Sequence, residues 1–117
     1  MVKIYGIPNC GSVKKAFSWL SENGIKFQFY DFKNEAPTVE KITSWLDAQP
    51  MEILLNKKST AWKGLTLVAQ KKTSKKEDAI KIMQATPNLI KRPVIEFNDK
   101  VLVGYDETVF KETLLSK

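Results

Sequence analysis

The sequence contains no histidine and only one cysteine, Cys10, among its 117 residues. The lack of histidine removes the usual zinc ligands and every mechanism in which histidine activates a serine or a cysteine. A single cysteine also excludes an internal disulfide framework. We therefore predict that no metal is bound, and that any chemistry at Cys10 depends on helix dipoles and cations.

Long hydrophobic runs are missing as well, although 43% of the residues are hydrophobic. A membrane-spanning helix needs about 20 consecutive apolar residues, and the amino-terminal residues read as a strand rather than as a secretion signal. These features predict a cytoplasmic protein with no membrane partner. The length suits one compact domain with a single core.

Arginine occurs once, at Arg92, whereas lysine occurs eighteen times, and the formal net charge is +6. The lysines are dispersed and are not interleaved with aromatic residues, so we expect no direct sequence-specific binding of nucleic acid. Arg92 directly precedes Pro93. Because a guanidinium can hold a carboxylate or an oxyanion through two parallel hydrogen bonds, this arginine is a candidate site residue.

The first third of the chain reads as a strand, a helix and a second strand. Residues 2–7 and 25–31 have strand patterns, and Gly24 is typical of a helix end. Such a crossover almost always joins two parallel strands. The helix between them shows apolar residues at helical spacing, namely Val13, Ala16, Phe17 and Leu20.

The middle of the chain, residues 38–86, reads as mainly helical. Pro37 and Thr38 open the first helix of this stretch. Residues 53–55 are expected to form a short buried turn and residues 56–64 a loop. The Ser-Lys-Lys-Glu sequence at 74–77 matches a capping box before the next helix.

The last third returns to strands. Residues 93–97 and 101–103 predict a hairpin, and Gly104 lets the chain turn away. Asp106 and Glu107 place negative charge at the start of a final helix, as the helix dipole favours. A four-stranded sheet with a thiol at the first strand-to-helix turn and a proline opening the third strand is a thioredoxin-like layout.

Cys10 lies at that first turn, where the unpaired N–H groups of a helix start favour an anion such as a thiolate. Asn9 and Gly11 permit a tight turn, and Gly11 keeps the helix-start amides accessible to a substrate anion. Ser12 could donate a hydrogen bond to the thiolate or cap the helix. The alternative is that Cys10 is a small buried hydrophobic residue.

Several segments together resemble the arsenate reductase/Spx (ArsC-like) family, and in particular its YffB branch. The segments are Ile7-Pro8-Asn9-Cys10-Gly11-Ser12, Leu54-Leu55-Asn56-Lys57, Ile90-Lys91-Arg92-Pro93 and Leu102-Val103-Gly104-Tyr105. The resemblance implies an α/β, thioredoxin-like (glutaredoxin-like) fold with a four-stranded mixed sheet and an inserted helical subdomain. We expect one domain over 1–117, with a core formed by 1–34 and 87–117 and an insert at 35–86.

The resemblance also implies roles for individual residues. Cys10 matches the nucleophilic cysteine, and Arg92-Pro93 matches a pair in which the proline is cis and the arginine faces the cysteine. Spacing alone would favour a trans proline at the start of an edge strand, because few X-Pro bonds in folded proteins are cis. We expect Pro93 to help to bind substrate, together with Asn9, Gly11 and Ser12.

The chain departs from the family pattern at three positions. Asn56 and Gly104 occupy the two positions that we match to oxyanion-binding arginines, so efficient arsenate reduction is not expected. Lys57 or Lys58 could supply part of the missing charge near the substrate. Val13 occupies the place of the second cysteine in the two-cysteine switch of Spx-type regulators.

Two hypotheses follow. The first is a single-cysteine thiol reductase without a bound cofactor, in which glutathione is the co-substrate and glutathione or glutaredoxin resolves a mixed disulfide at Cys10. The second is an Spx-like regulator that docks on RNA polymerase through its basic helical insert or the outer face of the final helix, without a redox switch.

Overall fold

A computed structural model describes residues 1–115, which form four strands, seven α-helices and one 3-10 turn. The 3-10 turn spans Pro87–Leu89. The strands are β1 (Val2–Gly6), β2 (Phe27–Asp31), β3 (Val94–Phe97) and β4 (Lys100–Val103). The helices are α1 (Gly11–Glu22), α2 (Val39–Ala48), α3 (Met51–Leu54), α4 (Thr60–Lys63), α5 (Leu67–Lys72), α6 (Lys76–Ala85) and α7 (Glu107–Leu114).

The four strands form one mixed sheet in the order β2-β1-β3-β4. β1 pairs with β2 in parallel, with Ile4 opposite Phe29, and with β3 in antiparallel fashion, with Ile4 opposite Ile95. β3 and β4 form an antiparallel hairpin whose turn places Asn98 at a φ of 56°. The parallel crossover and the hairpin agree with the sequence predictions, and the whole is the thioredoxin-like arrangement expected from the sequence.

Alternation along β1 directs Val2 and Ile4 to one face of the sheet, where α1 and α7 cover them. The rings of Trp19 from α1 and Phe110 from α7 meet edge to face at 5.4 Å between centroids. This packing holds α1 and α7 against each other on that face of the sheet. The core residues of this layer are Val2, Ile4, Ala16, Trp19, Leu20, Ile95, Leu102, Phe110 and Leu114.

The chain divides into two compact units. One contains residues Met1–Asp31 and the chain from Arg92 onward, and the other contains Phe32–Lys91. The divisions lie at 31/32 and 91/92, three and five residues from the predicted boundaries of the insert. That these units act as one domain stays a prediction.

The second unit is built from α2 to α6 around its own buried residues. Trp45 on α2 is fully buried and lies 6.3 Å from the ring of Phe32, between ring centroids. A short antiparallel bridge joins Leu55 to Ile90, where the N–H of Asn56 donates to the carbonyl of Leu89 at 2.8 Å. The other core residues of this unit are Ile42, Leu54, Ala79, Ile80, Met83 and Leu89.

Helix ends follow local chemistry in several places. Gly24 has a φ of 66° just after α1, a left-handed conformation that glycine adopts readily. Thr38 caps α2 by accepting from the N–H of Lys41 at 3.0 Å, and Asp106 caps α7 by accepting from the N–H of Val109 at 3.2 Å. Both capping residues lie where the sequence predicted a helix start.

Three local predictions for the middle of the chain were wrong. The predicted loop 56–64 contains α4, because Ser59 caps a short helix by accepting from the N–H of Trp62 at 3.0 Å. The predicted capping box at 74–77 does not form, since Lys75 is the N-cap of α6 and makes no side-chain cap. Ile53, expected in a buried turn, is exposed on α3.

Candidate active site

Cys10 is the N-cap of α1 and lies four residues after the end of β1. Its backbone is extended, its N–H donates to the carbonyl of Ile7 at 3.3 Å, and its carbonyl accepts from Lys14 N–H at 3.0 Å. The side chain is half-buried and makes no capping hydrogen bond to the helix. The thiol is therefore held at a helix start without a hydrogen bond to the helix-start amides.

Gly6 brings Arg92 next to the first turn of α1. A Cβ atom at Gly6 would lie 2.8 Å from Cγ2 of Val13 and 3.6 Å from Cβ of Arg92. Only the absence of a side chain lets the helix and the arginine approach the end of β1 this closely. Gly6 was not among the site residues predicted from the sequence, although a glycine that ends the strand before the cysteine turn was a signal.

The peptide bond between Arg92 and Pro93 is cis. The family resemblance implied this isomer, whereas spacing alone favoured trans. Pro93 is buried, and its carbonyl accepts from the N–H of Gly104 at 2.8 Å. Gly104 has a φ of 83°, so the backbone at this position favours glycine over a residue with a side chain.

The other residues predicted beside Cys10 surround the same turn. Asn9 and Gly11 are exposed, and Ser12 is half-buried in the first turn of α1. A Cβ at Gly11 would meet no atom within 4 Å, so the space outside the helix start is open. The turn is thus accessible from solvent, and the binding roles of these residues stay predictions.

Arg92 and Pro93 belong to the same unit as Cys10, whereas Lys57 and Lys58 belong to the other unit. Nζ of Lys57 lies 5.3 Å from the centroid of the Trp62 ring. Asn56 Oδ1 accepts from the N–H of Lys58 at 3.1 Å, which gives Asn56 a local structural role. A role for either lysine in substrate binding stays a prediction.

Tyr5 is a further buried polar residue, in the strand that leads to the cysteine turn. Its hydroxyl donates to Oε1 of Glu96 at 3.0 Å, and its ring stacks on Tyr30 with 4.8 Å between centroids. Burial first, and then the Glu96 carboxylate, raise the pKa of Tyr5 far above its usual value. Tyr5 therefore remains a neutral hydrogen-bond donor. The pairing of Tyr5 with Glu96 was not predicted from the sequence, because only the register between β1 and β3 brings these two residues together.

Within residues 1–115, no group of three or more cysteine, aspartate and glutamate side chains is arranged to hold a metal ion. No helix in that part of the chain has the length and apolar character that a membrane crossing requires.

The ArsC family profile matches residues 5–113. The chain belongs to the ArsC family. A solved structure named YffB protein superposes with a TM-score of 0.93 at 30% identity, over 97% of this chain and 99% of that one. The predicted fold and the predicted likeness to the YffB branch are thereby confirmed.

Other ArsC-family relatives carry different names. An uncharacterised protein of Haemophilus influenzae is 32% identical over 95% of this chain and 96% of its own length. The global transcriptional regulator Spx of Staphylococcus aureus is 29% identical over all of this chain and 89% of its own length. Family membership thus supports a thioredoxin-like fold for this chain, whose sequence contains one cysteine.

Proposed function

We propose that the protein is a single-cysteine thiol reductase that uses glutathione as co-substrate. The observation that carries the proposal is the placement of Cys10 at the start of α1, with Arg92 brought beside the first turn of that helix by Gly6. A helix start and a permanently charged guanidinium both favour a thiolate over a thiol. The open space outside Gly11 gives a substrate access to this turn.

The chemistry proceeds by two thiol–disulfide exchanges. The Cys10 thiolate attacks one sulfur of a substrate disulfide and forms a mixed disulfide, while the other sulfur leaves as a thiolate and takes a proton. A glutathione thiolate then attacks the substrate sulfur of that mixed disulfide and releases Cys10 as a thiolate. After these two exchanges at Cys10, a second glutathione thiolate attacks the glutathione sulfur of the released substrate–glutathione disulfide, which gives oxidised glutathione and a substrate thiolate that takes a proton. An external thiol is required because the chain has no second cysteine. Because this chemistry needs a pool of reduced glutathione, we propose that it takes place in the cytoplasm.

Arsenate is a poor candidate substrate for this site. The resemblance matches Asn56 and Gly104 to two oxyanion-binding arginines, and each has a backbone role here. Asn56 closes a local turn, and Gly104 adopts a left-handed conformation while donating to Pro93. Arg92 alone supplies the planar fork of donors that suits an oxyanion.

The proposal is tested by steady-state turnover of bis(2-hydroxyethyl) disulfide with glutathione, coupled to glutathione reductase and NADPH oxidation. We expect saturable turnover by the wild-type protein, its loss in Cys10→Ser, and negligible turnover of arsenate. Circular dichroism of Cys10→Ser checks that the fold persists. Wild-type turnover no faster than that of Cys10→Ser, with glutathione and with glutaredoxin as reductant, would contradict the proposal.

A second candidate is a transcriptional regulator that docks on RNA polymerase. The 29% identity to the regulator Spx across the whole chain favours it. Charge-dependent docking would weaken as salt is added. A binding assay with purified RNA polymerase, run against a variant with scrambled surface lysines, separates the two candidates. Equal retention of both proteins by the polymerase would exclude this function.

A further inference from the structure

Helix α5 presents apolar side chains to solvent. None of its residues is buried, and Leu67 and Val68 are 74% and 66% exposed. The helix is held in place by two hydrogen bonds: Thr66 Oγ1 accepts from the N–H of Ala69 at 3.1 Å, and Nε2 of Gln70 donates to the carbonyl of Trp62 at 2.9 Å. The exposure of this pair is therefore a fixed feature of the surface.

Positive charge surrounds this apolar pair. Residues 57–76 contain seven lysines and no acidic residue, and the unit Phe32–Lys91 carries a net +5 of the chain's +6, with eleven lysines against six acidic residues. Lys71 and Lys72 lie one helical turn from Leu67 and Val68, on the same faces of α5. The seven are Lys57, Lys58, Lys63, Lys71, Lys72, Lys75 and Lys76.

A groove of about 630 Å³ adjoins α5. Its lining includes the apolar side chains of Met51 and Leu55, the lysines at positions 57 and 71, and one carboxylate, that of Glu52. A smaller hollow of about 220 Å³ shares Met51, Thr73 and Ser74 with it and extends to Lys76. We call Leu67, Val68, Lys71, Lys72 and this groove the α5 surface.

We propose that the α5 surface binds an acidic protein segment that carries apolar side chains. The lysines complement its carboxylates, the exposed aliphatic pair packs on its apolar residues, and the groove accepts one further apolar side chain against Met51. Charge of one sign around an apolar centre is how protein surfaces select a partner and speed its approach. Large exposed apolar side chains grouped in this way mark interaction sites.

The chemistry of the α5 surface disfavours three other partners: a nucleic acid, a second copy of the chain and a lipid bilayer. Lysines can hold the phosphates of a nucleic acid, but its bases are bound by aromatic stacking platforms or arginine forks, and this surface presents exposed aliphatic side chains instead. A second copy of the chain would bring two sets of seven lysines together. A lipid bilayer is flat, whereas this surface has a groove, and two aliphatic side chains bury too little area for stable insertion.

The proposed surface is independent of the proposed reductase chemistry. All of its residues lie in the unit Phe32–Lys91, and Cys10 lies in the other unit. The surface therefore adds a binding function to the proposed reductase, and each can fail without the other.

The test uses the full-length protein and a fluorescein-labelled synthetic peptide with leucines on one helical face and glutamates on the other. Fluorescence anisotropy should show saturable binding that weakens as salt is added. Leu67→Ser/Val68→Ser and Lys71→Glu/Lys72→Glu should each weaken binding by about tenfold, the size expected for central interface residues. Lys26→Glu/Lys100→Glu makes the same change in net charge in the other unit and should leave affinity within about twofold.

Two comparison peptides sharpen the result. Replacing glutamate by lysine should abolish binding, and replacing leucine by serine should weaken it as much as the Leu67→Ser/Val68→Ser change does. Circular dichroism and urea unfolding should be the same for Leu67→Ser/Val68→Ser as for wild type, which shows that this variant is folded.

Several outcomes would overturn the proposal. One is equal weakening by the Lys26→Glu/Lys100→Glu control, because binding would then follow net charge alone. Others are tighter binding to phosphatidylglycerol vesicles or to a single-stranded RNA oligonucleotide than to the peptide. A dimer seen by sedimentation that Leu67→Ser/Val68→Ser dissolves would assign the surface to self-association instead.

Discussion

Arg92 is the cation that the fold brings to the helix start capped by Cys10, and its effect on the thiol can be measured directly. A half-exposed cation stabilises a nearby anion by about 0.2–1 kcal/mol. We therefore expect Arg92→Gln to slow the alkylation of Cys10 by iodoacetamide at pH 7 by about two- to fivefold, because the anionic sulfur is the form that reacts and the variant removes a cation beside that turn. Arg92→Lys keeps the charge and should have a smaller effect.

The matched control is Lys100→Gln, which removes one exposed positive charge from β4. Equal slowing by Arg92→Gln and by this control would mean that Arg92 acts only through net charge. If Cys10 in the folded wild-type protein does not react at all, the thiol is structural, and effort moves to identifying a protein partner.

Tyr5 gives a prediction for alkaline pH. Its folded pKa lies above the unfolded value of about 10, so between these two values the unfolded chain has lost the proton that the folded chain keeps. The free energy of unfolding should therefore be unaffected by this group below about pH 9 and fall as the pH rises above about 10. In Tyr5→Phe, urea unfolding should show a shallower alkaline loss, by at most about 1.4 kcal/mol per pH unit.

Tyr5→Phe also removes the hydrogen bond to Glu96, which should cost about 1 kcal/mol at every pH. The comparison that isolates titration is thus the slope against pH, not the stability at one pH. If the free energy of unfolding falls with pH equally steeply in Tyr5→Phe and in wild type, the raised pKa of Tyr5 is contradicted. Tyr30→Phe, whose ring is more exposed, serves as the control.

The junction between β1 and α1 yields a prediction from two glycines. Gly6→Ala places a Cβ 2.8 Å from Val13 Cγ2, so the helix must move off the sheet, and overpacking of this kind costs about 1–3 kcal/mol. Gly11→Ala meets no atom within 4 Å and should leave the free energy of unfolding nearly unchanged. Urea denaturation followed by circular dichroism measures both.

Because Gly6 also approaches Arg92, Gly6→Ala should lower turnover of the disulfide substrate more than Gly11→Ala does. Equal free energies of unfolding for Gly6→Ala and Gly11→Ala would show that α1 can shift without loss of stability. The close packing at Gly6 would then not be needed for the fold.

Secondary structure was predictable where local chemistry and tertiary packing agree. The strands around Ile4 and Ile95 and the caps at Thr38 and Asp106 could be located from residue pattern alone. Helix α4 was missed because a cap at Ser59, with only four residues to follow, gives too short a periodic pattern. The capping box at 74–77 failed because such four-residue matches carry little information without the packing that sets the first turn.

The candidate site could be predicted only in part. A cysteine after a strand and the arginine before Pro93 were visible in the sequence, because both are rare residue types in this chain. The contact of Gly6 with Arg92 and the pairing of Tyr5 with Glu96 depend on strand register across about 90 residues. No local pattern reports such long-range neighbours.

Across the whole molecule, charge is divided unevenly between the two units. The unit that contains Cys10 has eight cationic and seven acidic residues, whereas the unit Phe32–Lys91 is strongly basic. Because the unit around the thiol is nearly neutral, we expect substrate selectivity at Cys10 to depend on Arg92 and the helix start. Long-range attraction of acidic partners is assigned to the other unit, where the α5 surface lies.

The left-handed backbone at Gly104 has a consequence for how this branch of the family can change. An arginine at this position would hold an unfavourable conformation, at a cost of about 1–2 kcal/mol, while its N–H still donated to Pro93. An oxyanion-binding arginine at this position would therefore lose stability before it brought any benefit, unless the β4–α7 connection also changed. Glycine here makes a second oxyanion-binding arginine an unfavourable substitution for this chain.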